Sequence, residues 1–560
     1  MPLTPAQRLG QSPLQPEVAL PAINVKAPSI SAITHAIVSN LPSDCGLFRR
    51  YDSYITIDIE KDVTPEGVPT KKTIVREMTP TRLCSWLEQF MCFRNGGDDQ
   101  AKATTLGKQM VEKIMASDTF RNAVREVREI AHVRLPIWAS DDSGQDAITL
   151  AEPGYNPRFK LFVSPEIEYN QKQYTPPQIQ RVWRVLVKEY PFLSESAAEE
   201  SQKWVINNQE RMGPDPRSNR SACCALALLV GTYVRYLYDR APMFIFNGNQ
   251  PGTGKTLLMV MCLAPVWGVA AGGFIEKPDT DDEMTKVLNM MALESKPFCI
   301  FDDVTSVIST AINEFSTSPL RTGRILGSGK SFTVPCNTQI IFTGNGLATT
   351  PDIVRRSLIV DLWYSGEAIH RELANPTKKE DFFKLAWRGD MLTLCWSMVK
   401  NWLDQGARLT TPPSAKPSFE SFAEIVGSIL SANGFADPFQ KRDVDVAGGD
   451  MIGSAVTKLI KHIAWMQRNP KDEYGSPLPP EKSKTYSVGS IIGFSDALGF
   501  TETITRGKNP NVTMGKQLSK YRGRAYTDKD GMPFIFGRGE SAESSNYTFV
   551  LLDPEKSAPI

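Results

Sequence analysis

Hydrophobic positions in the first 170 residues follow two different periods. Apolar and polar residues alternate in SYITIDIE and TKKTIVREM, which predicts strands, whereas apolar residues recur at helical spacing in LCSWLEQFM, GKQMVEKIM and FRNAVREVREIA. Residues 1–30 are instead rich in Pro, Gln and Ala, a composition typical of a flexible leader. We therefore expect an α+β domain over residues 31–170, although its pattern does not indicate a role.

After Thr175 the pattern is first helical and then rich in buried strands. Helical spacing in PPQIQRVWRVLVKEYPF and RSACCALALLVGTYVRYLY predicts a helical segment over residues 171–240. Four short apolar runs, MFIF, PFCIFDDV, TQIIFTGN and SLIVDL, predict the strands of an α/β core over residues 241–409. TTPPSAKPS predicts a linker that opens a helical region over residues 410–484, which leaves residues 485–560 as a small C-terminal domain.

The composition is that of an ordinary globular protein. The 560 residues suffice for about three or four folded units. With 41% hydrophobic residues and a net charge of +1, any nucleic-acid contact must come from local basic patches. The nine cysteines include no C-x-x-C pair, which favours buried reduced thiols over zinc ligands or disulfides. The sequence shows neither a signal segment nor an apolar run of about 18 residues, so we expect a cytoplasmic protein without a membrane partner.

Residues 243–257 have the order of strand, loop and helix that a phosphate-binding loop (P-loop) requires. In such a loop the backbone amides cradle the β-phosphate, Lys255 reaches the β- and γ-phosphates, and the Thr256 hydroxyl binds Mg²⁺. Asn249 departs from the G-x-x-x-x-G-K-T pattern because it stands where the first glycine belongs, and a glycine-rich turn before a helix is the alternative. The predicted ATP-binding residues are Gly248, Asn249, Gln250, Pro251, Gly252, Thr253, Gly254, Lys255, Thr256 and Leu257.

Carboxylates and an amide follow the next two predicted strands. Asp302 is suited to hold Mg²⁺ through its water shell, together with Thr256, and Asp303 to orient or deprotonate the attacking water. Many ATPases of this class carry Glu at the second place, so the role of Asp303 as base is the weaker assignment. Asn345 ends the following strand, where its amide can touch the γ-phosphate or position the water. An acidic turn and a structural amide are the alternatives.

Two features near these strands complete the predicted machinery. Arg355 and Arg356 can reach a phosphate across a subunit boundary and stabilise the charge that develops as the γ-phosphoryl leaves. RILGSGKSFTVPCN predicts a β-hairpin with its tip at residues 327–329, where Arg324 and Lys330 can contact DNA phosphates. Solvated arginines and a plain surface hairpin are the alternatives. The predicted catalytic residues are Lys255, Asp302, Asp303, Asn345, Arg355 and Arg356.

In this order, GNQPGTGKTLL, EMTKVL, CIFDDV, GRILGSGKSFTVPCNTQIIFTGN and PDIVRRSLIVDL resemble the AAA+ ATPases of phages and integrative mobile elements. These proteins are related to superfamily 3 and MCM-like replicative helicases, and the resemblance covers roughly residues 120–440. It implies a hexameric ring, ATP sites between subunits and a translocating hairpin in the channel. It also implies a charged pair at Glu283 and Lys286 and a second sensor at Arg388.

The C-terminal domain carries a basic segment. RGKNPNVTMGKQLSKYRGR has six basic residues and no acidic one, and a helix through it places Lys516 and Lys520 on one face. YTDKDGMPFIFGR and SNYTFVLL predict a two-stranded wing with its turn at Asp530 and Gly531. A winged-helix-like domain that binds DNA is therefore expected, and a solvated basic face that binds protein is the alternative. The predicted DNA contacts here are Lys516, Lys520, Arg522 and Arg524.

Together these observations predict an ATP- and Mg²⁺-dependent DNA helicase or translocase. Its expected partners are single-stranded or forked DNA, further copies of this chain in a hexamer, and replication proteins of a phage or mobile genetic element. One alternative is an AAA+ protein remodeller or helicase loader that hydrolyses ATP without separating strands. Another is a nucleotide-binding module used only for assembly, which would bind ATP with negligible turnover.

Overall fold

The fold is a mixed α/β arrangement of two compact units. The computed structural model describes residues 20–552 except 28, 52, 64–66, 68, 97–101, 141–145, 170–171, 325–330, 365–366, 372–377, 440–450, 473, 506–508, 520 and 539–545. The first unit comprises Met1–Asn170, Tyr233–Leu237 and Arg388–Asp390, and the second comprises Gln171–Thr232, Tyr238–Trp387 and Met391–Ile560.

The first unit combines short helices with small sheets. The predicted strands are confirmed at Ser53–Val63 and Pro69–Glu77, which pair antiparallel. The helix Pro80–Leu87 begins where the Thr79 side chain accepts a hydrogen bond from the Arg82 amide, and it buries Leu83 and Leu87. Its strands are Ala22–Asn24, Leu47–Arg50, Ser53–Val63, Pro69–Glu77, Cys92–Arg94, Ala103–Thr104, Glu129–Ala131, Pro136–Ser140, Asp146–Leu150, Gly154–Asn156 and Leu161–Val163, and its helices are Ile30–Asn40, Pro80–Leu87, Lys108–Met115 and Asp118–Ala123.

Two expectations for this unit were wrong. The leader was predicted to be flexible through residue 30, but Ala22–Asn24 forms a strand parallel to Cys92–Arg94, because Ile23 is buried in the core. The part of the leader before residue 20 lies outside the described residues. FRNAVREVREIA was predicted as one helix, but the helix ends at Ala123 and Glu129–Ala131 is a strand. Pairing of the Val127 amide with the Arg49 carbonyl outweighs the helical period there.

The second unit is built around a parallel sheet. Its helices are Pro176–Val187, Ala197–Glu200, Arg220–Tyr233, Lys255–Trp267, Asp281–Leu293, Thr310–Thr317, Pro351–Arg355, Leu385–Asp404, Glu420–Ala432, Met451–Arg468, Val488–Ala497, Thr501–Thr505 and Pro510–Ser519. Its strands are Lys203–Ile206, Gln209–Met212, Met243–Gly248, Phe298–Ser306, Leu320–Arg324, Ser331–Pro335, Gln339–Ala348, Ser357–Leu362, Ser483–Ser487, Arg524–Thr527, Pro533–Arg538 and Asn546–Leu551. Both predicted helices of the 171–240 segment are therefore confirmed.

The four apolar runs of the predicted core form one four-stranded sheet. Its spatial order is the acidic strand (Phe298–Ser306), the asparagine strand (Gln339–Ala348), the P-loop strand (Met243–Gly248) and the outer strand (Ser357–Leu362). All three pairings are parallel. The strands are continuous apolar runs because a parallel sheet is covered on both faces. Their carboxyl ends meet at one edge of the sheet, which brings together side chains that are far apart in the sequence.

The P-loop helix (Lys255–Trp267) is apolar around its whole circumference, so the expectation that the sequence contains no apolar run of about 18 residues was wrong. With its 3₁₀ extension to Gly272, it is the one described helix long and apolar enough to cross a membrane by length and composition, with a mean hydropathy of 1.5. Yet 67% of this span is buried inside the protein, as expected of a helix packed in a protein core. Its apolar surface is therefore explained by packing in the second unit.

The Pro/Ser-rich stretch at residues 410–418 is packed against the core, so its prediction as a linker was wrong. Lys416 is 8% exposed and its Nζ donates to the Ser357 carbonyl over 2.5 Å. Thr411 is also buried, and a Cβ at Gly427 would lie 2.3 Å from its Oγ1. The segment therefore packs against the helix Glu420–Ala432 and the outer strand.

The C-terminal region contains a larger sheet than the predicted two-stranded wing. Four antiparallel strands lie in the order Ser483–Ser487, Asn546–Leu551, Pro533–Arg538 and Arg524–Thr527. Ser483–Ser487 precedes the helices of this region in the sequence and pairs with Asn546–Leu551. The alternation of apolar and polar residues did not predict this pairing. The strands pack through Phe534, Phe536 and Phe549 against the helices.

The predicted turn at Asp530 is correct, but it is anchored rather than free. Asp528 is buried and pairs with Arg468 over 3.0 Å, while Asp530 accepts a hydrogen bond from the Trp465 indole over 2.7 Å. Both partners lie on the helix Met451–Arg468. This turn is therefore held against the protein, at the opposite end of its hairpin from Arg522.

Candidate nucleotide-binding site

The predicted strand, loop and helix are present around residues 243–257. The P-loop strand ends at Gly248 and the P-loop helix begins at Lys255. Between them Gly252 and Gly254 have φ values of 84° and 94°, a left-handed conformation that L side chains rarely adopt. Gly254 is the helix N-cap and has no side chain to cap the first turn, so the amides of that turn remain available to an anion.

The structure explains why a glycine stands at position 248, one residue before the place where the G-x-x-x-x-G-K-T pattern has its first glycine. A Cβ on Gly248 would lie 2.7 Å from Thr253 Oγ1 and 3.0 Å from Lys255 Cδ, so the missing side chain leaves the space in which Lys255 lies. Asn249 donates from Nδ2 to the Tyr364 carbonyl over 2.8 Å and accepts from the Tyr364 amide over 3.1 Å. Asn249 therefore braces the loop against the chain that follows the outer strand.

Replacing Gly248 by alanine is expected to weaken ATP binding at least about tenfold, because the new methyl group occupies the space of the Lys255 side chain. Titration of a fluorescent ATP analogue measures the effect. Gly272→Ala is the matched control, since a Cβ there would meet Phe383 at 3.5 Å, an ordinary contact. Equal affinities of the two variants would contradict the prediction.

Lys255 lies at the centre of the site. Its side chain is 7% exposed, and its Nζ donates to Asn345 Oδ1 over 2.6 Å. Burial lowers the pKa of the Lys255 ammonium, while the carboxylates of Asp303 and Asp302 act in the opposite direction. The structure thus brings together a cation from the P-loop helix, an amide from the asparagine strand and two carboxylates from the acidic strand.

The acidic strand continues to Ser306, so the prediction that Asp302 and Asp303 follow its end was wrong, and a bulge within the strand positions the carboxylates instead. The pairing with the asparagine strand shifts between Phe301 and Val304, so Asp302 and Asp303 stand opposite Thr343 alone. Asp302 Oδ1 accepts hydrogen bonds from Thr343 Oγ1 and, over 2.9 Å, from Thr256 Oγ1. Asp303 is exposed and adopts a φ of 50°, and its amide donates to Thr343 Oγ1 over 3.1 Å.

Two residues that hold this arrangement were not among the sequence predictions. Thr343 is 1% exposed and binds both aspartates of the bulge, and its position two residues before Asn345 on the same strand face was the available signal. Asn247 donates to Asp361 over 2.9 Å and accepts from the Leu347 amide over 3.2 Å. Asn247 therefore ties the P-loop strand to the part of the asparagine strand that follows Asn345, and no spacing in the sequence indicated this.

A pocket of about 560 Å³ adjoins the P-loop. Leu257 and Met261 of the P-loop helix lie on one side, and Phe382 and Trp387, whose rings are 4.8 Å apart, also line it. The volume and the apolar and aromatic lining fit a purine nucleoside joined to phosphates on the loop. The full lining is Val185, Leu186, Lys188, Glu189, Tyr190, Gly252, Gly254, Leu257, Met261, Arg371, Asp381, Phe382 and Trp387.

The two candidate arginines have different environments. Arg356 is 15% exposed and its Nη1 donates to the Asn313 carbonyl over 2.8 Å and to Asn313 Oδ1 over 3.2 Å. Arg355 is 45% exposed and approaches only the exposed carboxylate of Asp352, at 3.5 Å, among the described contacts. Arg355 is therefore free to reach another molecule, whereas Arg356 is committed to its own chain.

The predicted DNA contacts are only partly described. Arg324 is exposed at the end of the first strand of the hairpin formed by Leu320–Arg324 and Ser331–Pro335. Lys330, the hairpin tip and Lys520 lie outside the described residues. Lys516 and Arg522 are exposed, and Arg524 begins a strand.

The residues taken from the family resemblance have local partners. Glu283 and Lys286 form an ion pair of 2.5 Å on the helix Asp281–Leu293. Arg388 is 4% exposed within the first unit and lies 3.9 Å from Glu166. Burial lowers the pKa of Arg388, and Glu166 opposes that shift. A sensor role for Arg388 stays a prediction.

The donor atoms at the site fit Mg²⁺ with a nucleotide. Thr256 and Asp302 supply a hydroxyl and a carboxylate oxygen, which are hard ligands that Mg²⁺ prefers. In the described part of the chain no group of three or more His, Cys, Asp or Glu residues could hold a metal ion. Mg²⁺ commonly takes one or two protein ligands and completes its shell with phosphate and water, so the small donor set suits it.

Comparison with known proteins does not place the chain in a family. No family model and no curated protein matches it. Among solved structures, the apo C-terminal region of NrS-1 shares 11% identity with a TM-score of 0.31, covering 88% of this chain and 96% of that one. The active helicase Cch of SCCmec type IV shares 10% identity with a TM-score of 0.28, covering 92% of this chain and 98% of that one. Similarity at this level assigns no activity.

Proposed function

We propose that this protein is a DNA-dependent ATPase of the AAA+ type that moves along DNA and separates its strands. The observation that carries the proposal is the convergence at one sheet edge of Lys255, Asn345 and the pair formed by Thr256 and Asp302. A glycine-rich turn would not require this convergence. This arrangement supports ATP hydrolysis, because Lys255 lies within hydrogen-bonding distance of Asn345, and Thr256 within hydrogen-bonding distance of Asp302. The candidate ligands for phosphate, water and metal are thereby grouped at the same edge.

Each residue has a role that follows from its position. Lys255 binds the β- and γ-phosphates after it leaves Asn345, and the Thr256 hydroxyl and Asp302 hold the magnesium ion, which neutralises the phosphate charge when bound. Asn345, released from Lys255, then orients the attacking water. Asp303 is the candidate base because it is exposed beside Asp302 at the bulge.

The order of the strands supports an ATPase rather than a kinase. The asparagine strand lies between the P-loop strand and the acidic strand, so Asn345 pairs in register with Gly248 and sits between the phosphate-binding and metal-binding groups. A kinase transfers phosphate to a second substrate and does not need such an amide.

We include in the proposal a hexameric ring with DNA contacts at Arg324 and Lys330, and a C-terminal winged-helix-like domain that binds DNA through Lys516, Lys520, Arg522 and Arg524.

The first experiment is the steady-state ATPase rate of the full chain with and without single-stranded and forked DNA. Displacement of a labelled strand is followed in the same reaction, and Lys255→Ala is the control for contaminating activity. We expect DNA to stimulate turnover at least several-fold and the fork to be unwound only with hydrolysable ATP. Turnover that DNA does not change would contradict the helicase proposal and favour a protein remodeller or a helicase loader. Nucleotide binding with negligible turnover would favour an assembly module.

A further inference from the structure

The pocket of about 560 Å³ beside the P-loop, here called the nucleoside pocket, is lined by a residue with a buried oxygen that has no hydrogen-bond partner among the described residues. Glu189 lines this pocket, and its Oε1 atom is buried and makes no hydrogen bond among the described residues. The other acidic residue of the lining, Asp381, pairs with Lys384 over 2.7 Å. Arg371 lies over the Tyr364 ring at 5.5 Å. Of the two carboxylates that line the pocket, Glu189 is thus the one with an oxygen that can still accept a hydrogen bond from a ligand.

The backbone around Glu189 is held firmly next to the phosphate-binding loop. The Tyr190 amide donates to the Val187 carbonyl over 3.0 Å, and a Cβ at Gly254 would meet the Tyr190 ring at 3.1 Å, so this ring packs on the loop itself. Phe192 bridges to Leu362 at the end of the outer strand. Glu189 therefore lies on a segment that packs against both the P-loop and the outer strand.

A carboxylate oxygen buried without a partner is unfavourable, and a ligand that offers a donor relieves the cost. The apolar and aromatic lining of Leu257, Met261, Phe382 and Trp387 suits the faces of a purine ring. With the phosphates on the P-loop and the base between these side chains, the remaining need is a donor on the edge of the base. The 6-amino group of adenine is such a donor.

We infer that Glu189 binds the 6-amino group of adenine and so selects ATP over triphosphates whose base lacks that donor. The inference rests on the proposed nucleotide site and adds its base specificity. No covalent step is involved, because Glu189 acts by accepting a hydrogen bond. The effect of Glu189 therefore appears in the ratio of the Kd for ATP to the Kd for a triphosphate without the 6-amino group, rather than in the Kd for ATP alone.

The test compares the Kd of ATP with that of purine riboside triphosphate, which has hydrogen in place of the 6-amino group, by calorimetry on the full chain with Mg²⁺. We expect wild type to prefer ATP by about tenfold or more, since hydrogen bonds to charged groups are strong. Glu189→Ala should bring the ratio close to one, and Glu189→Gln, whose amide oxygen still accepts, should give an intermediate ratio. Glu210→Ala is the matched control, because Glu210 is exposed and pairs with Lys203.

Three outcomes would overturn the inference. The first is an unchanged ATP preference in Glu189→Ala, with a melting temperature equal to that of wild type. The second is tighter binding of GTP than of ATP that is lost in the same variant, because the carboxylate would then bind the N1–H and 2-amino donors of guanine. The third is failure of wild type to bind either nucleotide, which would overturn the nucleotide site itself. Where wild type does bind, Lys255→Ala shows whether the first outcome reflects Glu189 alone or a nucleotide bound elsewhere, since a triphosphate on the P-loop loses affinity in this variant.

Discussion

Alanine in place of Lys255 is expected to reduce ATP turnover by roughly 1,000-fold, to a level near background. Lys255 as a residue is buried, so water screens its charge less than it would screen that of a surface lysine. Removing it leaves the developing charge on the γ-phosphoryl without its cation and leaves Asp302 and Asp303 uncompensated. ATPase assays over a range of ATP concentrations would separate loss of binding from loss of turnover.

Lys296→Ala provides the control for this experiment. Lys296 precedes the acidic strand, is 51% exposed and pairs with Glu294 at 3.4 Å, so its loss removes a surface charge only. Turnover of this variant should match that of wild type. Comparable losses in both variants, or turnover that persists in Lys255→Ala, would contradict the assignment of the P-loop as the hydrolytic site.

Alanine in place of Arg355 is expected to lower kcat by about 1,000-fold or more while nucleotide affinity is preserved, as for arginines that act across a subunit boundary. The exposure of its side chain leaves it able to reach a neighbouring site. Because the arginine and the carboxylate would come from different subunits, mixing Arg355→Ala with Asp302→Asn should restore part of the activity. No recovery on mixing, in preparations shown to co-assemble, would argue against sites shared between subunits.

Arg356→Ala separates a structural role from a catalytic one. Its guanidinium donates two hydrogen bonds to Asn313, so its loss should destabilise folding by roughly 1.5–3 kcal/mol, as for hydrogen bonds from charged groups. Chemical denaturation measures this change. One result would reverse the roles, making Arg356 the catalytic arginine and Arg355 the dispensable one. It is normal stability with lost turnover in Arg356→Ala, together with full turnover in Arg355→Ala.

The P-loop shows how much of a site short-range pattern can predict. The strand, the glycine-rich loop and the helix are consecutive in sequence, so their order alone predicted the conformation around Lys255. The same pattern could not explain Asn249, because its partner Tyr364 lies 115 positions away. A residue that departs from a local pattern because it contacts a distant residue cannot be explained from the sequence pattern. Its role becomes clear only from the tertiary structure.

The errors in the expected fold have the same cause. Residues 22–24 and 129–131 pair with segments elsewhere in the chain, and these pairings overrule local composition and local helical spacing. The stretch at 410–418 has the composition of a linker, yet Lys416 finds a backbone acceptor in the outer strand. Composition indicates the local conformational preference of a segment, whereas its burial depends on tertiary contacts with distant parts of the chain.

The sequence by itself determined the four core strands and the phosphate-binding loop, because apolar period and glycine placement act over a few residues. It placed the ends of two strands too early, since Phe298–Ser306 and Gln339–Ala348 continue beyond Asp303 and Asn345. Only the tertiary structure decided the order of the strands, which sets Asn345 beside Lys255 and Thr343 against both aspartates. It also separated exposed Arg355 from anchored Arg356. Parallel strands join residues that are tens of positions apart, and those contacts depend on chain topology and burial, which no local spacing encodes.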